Sequence, residues 1–382
     1  MKQRLILVGA GHAHAEVLAR FALAPVPGLE IVLVTPHRLA PYSGMIPGWL
    51  AGGYSWEDCC IDFADLASRA GARLVEDSVV QMDARNRSFS CARGGSLVGD
   101  VASLNIGSTV FVPDDRANGA SGPIVLPMRP LAELRTRTEA SIVRLSARRS
   151  SHRATQIVAV GGGAAGFESL LAIRARCSRL GLKVRGALVA ASDDILPGLA
   201  RRAASLGRAQ LRDLGLSVHA GSAVAAIGAN GLSTKDGTPI DADLALWATG
   251  GVAHAWPREG GLAVDEQGFV RVDATLRSIS HPWLHAVGDC AALDGHPVPK
   301  SGVVSVRMGP VLADNLHAVL SHRPLRAYRP QRFHLALLNC ANGRAIAAWG
   351  PLAWEGASVW AWKNRIDRRF IARYMASPAK RA

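Results

Sequence analysis

Ile157-Val158-Ala159-Val160-Gly161-Gly162-Gly163-Ala164-Ala165-Gly166 is the stretch that decides the fold. An apolar run followed by glycines at the first, third and sixth positions reads as strand, tight turn and helix. The helix end then offers N–H groups and a positive dipole to a pyrophosphate. The N-terminus carries a second copy, Leu5-Ile6-Leu7-Val8 followed by Gly9-Ala10-Gly11-His12-Ala13-His14. This copy departs at its third glycine position, which is His14. That glycine permits close helix–strand packing, so a bulkier residue implies a slightly altered approach of the helix. One Gly-rich turn is a weak signal, because such turns arise for steric reasons alone. Two well-placed copies point to two dinucleotide sites, and a natural use of two is electron transfer between them.

Working outward, residues 1–35 read as strand, helix, strand, ending at Glu30-Ile31-Val32-Leu33-Val34. Thr35-Pro36 follows, where such folds often place an acid for a ribose hydroxyl. No acid stands there, so ribose contacts fall to Thr35, to backbone or elsewhere. Pro41-Tyr42-Ser43-Gly44-Met45-Ile46-Pro47-Gly48 is rich in turn formers and is expected beside a bound cofactor. Short apolar runs alternate with turns over 73–112, closing on Leu104-Asn105-Ile106-Gly107-Ser108. A basic helix is expected from Arg129 to about Arg149. Residues 156–250 repeat the opening pattern, with a strand at Val184–Val189, a helix around Ala200–Leu214 and a closing Leu244-Ala245-Leu246-Trp247-Ala248-Thr249-Gly250. His285-Ala286-Val287-Gly288-Asp289-Cys290 ends a strand on a carboxylate suited to a polyol hydroxyl. A helix from Val303 to Leu320 follows. The tail from about Ala327 holds four of the nine tryptophans.

The chain has 382 residues, enough for two or three domains with good cores. Its formal net charge of +14 suits a basic surface, anionic lipid or anionic cofactors. No zinc-finger, helix-turn-helix or RNA-stacking signature accompanies that charge, which argues against nucleic acid as a partner. No run of about 18 apolar residues exists to span a membrane. Met1-Lys2-Gln3-Arg4 imitates a signal peptide, but cleavage near Ala13 or Ala15 would destroy the first turn, so the expected location is cytoplasmic. Cys59, Cys60, Cys91, Cys177, Cys290 and Cys340 form no CxxC and no zinc spacing, so no metal is expected and the thiols should be reduced and buried.

Gly9-x-Gly11, Gly161-x-Gly163-x-x-Gly166-Phe167-Glu168, Ala248-Thr249-Gly250 and Val287-Gly288-Asp289 occur in order at domain-scale spacing. In this the chain resembles the two-dinucleotide-binding-domain flavoproteins, the pyridine nucleotide-disulfide oxidoreductase superfamily, over roughly residues 1–320. It looks most like type II NADH dehydrogenases and sulfide:quinone oxidoreductases. More narrowly, Gly11–His14, Pro41–Met45 and Pro299–Val303 resemble a bacterial group whose relatives can be fused to selenide,water dikinase; the 382 residues show no such domain.

The resemblance implies an α/β fold of two Rossmann-like domains, with an FAD-binding domain split by an inserted NAD(P)-binding domain. The expected bounds are 1–135 and 271–325 for the FAD part and 150–270 for the insert, with a cap, interface or membrane-surface segment at 326–382. FAD would be held by Gly9, Gly11, His12, Ala13, Thr35, Pro36, Tyr42, Ser43, Gly107, Gly288 and Asp289. Lys300, before a helix, is the candidate to stabilise charge at flavin N1 and C2=O. NAD(P)H would be held by Gly161, Gly163, Gly166, Glu168 and Gly250. The strand at Val184–Val189 ends without an adjacent acid or arginine, so the choice between NADH and NADPH stays open. His12 and His14 either face the pyrophosphate or substrate channel, or fill the space of the missing glycine.

The expected activity is hydride transfer from NAD(P)H through FAD to a quinone or other small acceptor. Alternatives are an NAD(P)H-independent flavin oxidase or sulfur/selenium-compound oxidoreductase, and a flavin-binding redox sensor with little turnover. The region Pro41–Gly48 lacks the CxxxxC of glutathione-reductase-like members, and Ala164 and Ala165 stand where sulfide:quinone oxidoreductases carry a cysteine. Cys340 is read as a structural thiol. Val303 and Arg307 occupy the helix positions where type II NADH dehydrogenases place glutamines near the quinone. The tail mixes Trp349, Trp354, Trp360, Trp362 and Phe370 with Lys363, Arg365, Arg368, Arg369 and Arg373, which suits the inner membrane face, a homodimer interface or a cap over the flavin.

Overall fold

The strand Gln3–Val8 pairs in parallel with Leu29–Thr35 on one side and Val101–Leu104 on the other. This computed structural model describes residues 3–113, 122–148 and 153–375; Met1, Lys2 and Arg149 lie outside the described residues. The first sheet has five parallel strands in the order Leu284–Ala286, Val101–Leu104, Gln3–Val8, Leu29–Thr35, Arg73–Glu76. Leu5, Ile6 and Leu7 are fully buried because a parallel strand is covered on both faces. Strand order reverses between Gln3–Val8 and Val101–Leu104, and the crevice at such a reversal is where ligands enter α/β sheets.

The second sheet repeats this plan. Its order is Ile124–Pro127, Leu244–Trp247, Thr155–Val160, Val184–Val189, Leu216–His219, all parallel. Ile124–Pro127 therefore belongs to the second sheet although it precedes residue 135. The 1–135 bound is corrected to that extent: its last strand is bonded to Leu244–Trp247, not to the first sheet.

The basic helix starts later than expected, at Leu134, after a short 3₁₀ turn at Leu131–Glu133. Pro130 has no N–H and holds the residue before it extended, so Arg129 stays outside the helix. The helices Gly302–Leu320 and Arg201–Asp213 match expectation within two residues. The tail forms a three-stranded antiparallel sheet, Ala336–Asn339, Ala345–Trp349 and Leu352–Gly356, followed by the helix Ala357–Tyr374. All six cysteines are free and buried.

Candidate active site

The two glycine turns share the backbone bonds that tie them to their sheets. Gly9 N–H donates to Val34 O and Gly161 N–H to Val189 O, both at 2.8 Å. Asn105 N–H donates to Val8 O and Ala248 N–H to Val160 O, both at 2.9 Å. Gly9 and Gly161 have φ of +92° and +122°, and a Cβ on either would run into the neighbouring strand end at Asn105 or Ala248. Only glycine sits there without strain.

The turns differ behind the phosphate-facing surface. In the second, Gly166 packs so closely on the Gly161 carbonyl that a Cβ would collide with it. In the first, the equivalent His14 is fully buried and hydrogen bonds through its ring, Nδ1 to Gly9 O at 2.7 Å and Nε2 to Ser103 Oγ at 2.9 Å. A carbonyl only accepts, so Nδ1 carries the proton and Nε2 accepts from the serine. Burial lowers the His14 pKa to about 4, and the ring is neutral.

Asn105 is a second difference, and sequence reading passed over it. Its Oδ1 accepts from Ala13 N–H at 3.0 Å and His14 N–H at 3.3 Å, while its Nδ2 donates to Val287 O at 3.0 Å. It caps the helix His12–Leu23, whose own N-cap, Gly11, has no side chain to do so. The symmetry with Ala248 was the signal that could have found it. Among the described residues, the N–H groups of Ala10, Gly11 and His12 keep no protein partner. In the second turn, a Cβ on Gly163 would meet no protein atom within 4 Å. Protein packing therefore does not demand that glycine; the open space is what a phosphate needs.

Both turns open on one cavity of about 2580 Å³, which also meets Thr35, Pro36, Tyr42, Ser43, Gly107, Glu168, Gly250, Asp289 and Lys300. Ala13, Gly166 and Gly288 do not reach its wall; they are buried behind it. Gly288 lies against the Asn105 and Ser305 side chains and donates its N–H to Met308 Sδ at 3.3 Å. Asp289 pairs with Arg129, whose guanidinium also bonds Ser108 Oγ. Lys300 is turned to Ala291 O and lies 3.8 Å from the centre of the Phe269 ring. Burial lowers its pKa.

The tail helix closes one side. Lys363 is buried and donates to Gly44 O at 2.6 Å and Asp367 Oδ2 at 2.8 Å. Phe370 stacks on Tyr42 at 4.2 Å, and His12 meets the Tyr42 ring edge-on at 5.3 Å. Burial lowers the His12 pKa to about 4, partly offset by Asp289. Glu168 Oε1 accepts from Asn339 N–H at 2.7 Å. Burial raises its pKa to about 7, against the pull of Lys363. Cys340 is likewise buried, with its thiol pushed up to about 12, and no cysteine lines the cavity. No group of three metal-ligating side chains occurs among the described residues.

A family model described as pyridine nucleotide-disulphide oxidoreductase matches residues 3–309. A type II NADH:quinone oxidoreductase of Haemophilus influenzae is 29% identical over 186 residues, 45% of this chain and 42% of that protein. A NADH dehydrogenase-like protein of Mycobacterium tuberculosis is 26% identical over 324 residues, 82% of this chain and 80% of that one. The chain thus spans under half of the first relative and four-fifths of the second. In fold, it resembles NDH2 of Plasmodium falciparum (TM-score 0.79, 12% identity, 98% of each chain). It also resembles the sulfide:quinone oxidoreductase of Aquifex aeolicus (TM-score 0.78, 15% identity, 97% of this chain and 91% of that one).

Proposed function

The chain belongs to the pyridine nucleotide-disulphide oxidoreductase family, and on that premise we propose that it passes hydride from NAD(P)H through bound FAD to a quinone or other small acceptor. One observation carries this reading: two helix N-termini with unspent N–H groups open on a single cavity. Each is a pyrophosphate seat, and a shared cavity lets the two dinucleotides meet. FAD, when bound, supplies the two-electron chemistry between coenzyme and acceptor.

The chain's own residues bind and orient. Ala10, Gly11 and His12 present amides to the flavin pyrophosphate, and Asp289 offers its carboxylate to the polyol once Arg129 yields it. Gly162, Gly163 and Ala164 do the same for the coenzyme. Phe370 and Tyr42 exclude water from one wall, and Glu168, titrating near neutrality, holds or releases a proton beside the tail helix. A cysteine-based sulfur reaction finds no support, because no thiol reaches the cavity.

The tail supports a peripheral membrane contact as part of the same reading. Trp349, Leu352, Trp354, Trp362 and Met375 are each 40% or more exposed, beside the exposed Arg365 and Arg368. Interfacial aromatics with cations suit an anionic lipid surface. No helix among the described residues is long and apolar enough to cross a membrane.

Gly163→Val tests the two-site assignment. The residue has an ordinary negative φ and empty space at its Cβ, so the variant should fold and keep FAD. NAD(P)H-driven bleaching of the flavin should be lost. Unchanged bleaching would overturn the assignment.

A further inference from the structure

The charges that line the cavity do not cancel. Its five carboxylates are all engaged: Asp289 with Arg129, Asp367 with Lys363, Glu133 with Arg137, Glu168 with Asn339 N–H, and Asp77 with the N–H groups of Ser78 and Arg93. Four lining guanidinium groups, Arg307, Arg329, Arg332 and Arg369, have no carboxylate partner among the described residues. The unspent charge of the cavity wall is therefore positive.

One of these, Arg307, bears on the acceptor end, together with a tyrosine. Arg307 lies on the helix Gly302–Leu320 one turn beyond Val303, on the face that meets the cavity. Tyr328 also lines the cavity, is only 6% exposed, and its buried hydroxyl has no hydrogen-bond partner among the described residues. The charge of Arg307 reaches that hydroxyl, opposing the rise that burial gives its pKa. A buried hydroxyl without a partner costs stability, unless a ligand supplies the missing bond. A cation and a donor converging on an open wall fit an anionic oxygen better than a neutral, lipophilic ring.

We propose that the acceptor site takes an anion, a small aromatic two-electron acceptor bearing a carboxylate or sulfonate, with Arg307 as its counter-ion and the Tyr328 hydroxyl as donor. This rests on the hydride-transfer reading. For a quinone bearing a sulfonate, NAD(P)H gives two electrons and one proton, and solvent gives the second proton. NAD(P)⁺ and the hydroquinone sulfonate leave, and the sulfonate is unchanged.

The test compares two acceptors with one ring system: neutral menadione and 1,4-naphthoquinone-2-sulfonate. FAD-loaded protein, photoreduced without coenzyme, is mixed anaerobically with each, and flavin reoxidation is followed. The ratio of the two rate constants in the wild type, divided by that in Arg307→Gln, removes the intrinsic reactivity of the quinones. The expected quotient is about tenfold or more in favour of the sulfonate, as removal of a steering charge from a focused site gives. Arg307→Lys should restore most of the wild-type preference, and added salt should shrink the sulfonate preference more in the wild type than in Arg307→Gln. Tyr328→Phe should raise the sulfonate concentration that half-saturates reoxidation and leave the limiting rate near the wild-type value. A quotient near one, or equal losses for both quinones, overturns the anionic acceptor. Photoreduction bypasses NAD(P)H, so this result stands even if the coenzyme fails to reduce the flavin, which would instead overturn the hydride-transfer reading.

Discussion

His14 holds the carbonyl of Gly9, five residues earlier, through its Nδ1 at 2.7 Å, and so takes over by hydrogen bonding what the equivalent glycine of the second turn does by close packing. The departure from the fingerprint is thus a substitution of mechanism. His14→Gly would restore the motif in sequence and harm the protein. It leaves a ring-sized cavity and strands the Gly9 carbonyl and the Ser103 hydroxyl. The expected loss is about 2–4 kcal/mol, read as a lower urea midpoint with weaker FAD retention.

The same histidine makes stability depend on pH. His14 and His285 are fully buried, and burial holds both pKa values at about 4, below the ordinary 6.5. Between those values the unfolded chain binds more protons than the native one, so their contribution is present above pH 6.5 and is lost as pH falls toward 4. Each accounts for about 2 kcal/mol by pH 5. Urea unfolding at pH 7 and pH 5 should show the decline, and His14→Gly should make it shallower by the His14 share while that of His285 remains.

Asn105→Ala removes the cap on His12–Leu23 and unpairs the N–H groups of Ala13 and His14. A loss of about 1–2 kcal/mol is expected, visible as a lower Tm.

The sequence made the skeleton legible because its signals are local. The run Ile157–Val160 and its glycines fix a strand, a turn and the start of a helix within a short local stretch, and strand Val184–Val189 was placed to the residue. Long-range pairings were not legible. Asn105 reaches its partners across 92 and 182 positions, and Arg129 reaches Asp289 across 160. Lys300, expected at the flavin, lines the cavity, and its contacts with Phe269 and Ala291 are ones no spacing encodes. The tail was read as cap, interface or membrane segment; that its inner face brings Lys363 and Phe370 to Gly44 and Tyr42 is a tertiary fact.

Asp289→Ala should weaken FAD binding by about 10- to 100-fold, the cost of a lost charge-assisted hydrogen bond. It also leaves Arg129 without its carboxylate. Flavin released on dialysis, measured by fluorescence, reports the change.

Glu168→Gln keeps an oxygen for the Asn339 N–H and removes the titration. Because burial raises the Glu168 pKa to about 7, the wild-type carboxyl is protonated below neutrality and ionised above it. The rate of flavin reduction by NAD(P)H should show an inflection near pH 7 in the wild type and none in the variant, as followed by stopped-flow absorbance.

Anaerobic titration of the FAD-loaded protein with NADH and with NADPH tests the central claim most directly. The account predicts a yellow protein whose flavin absorbance is bleached by about one equivalent of at least one coenzyme, because both pyrophosphate seats open on one cavity. A protein that cannot take up FAD, or one whose flavin is reduced by dithionite but by neither coenzyme, would contradict it.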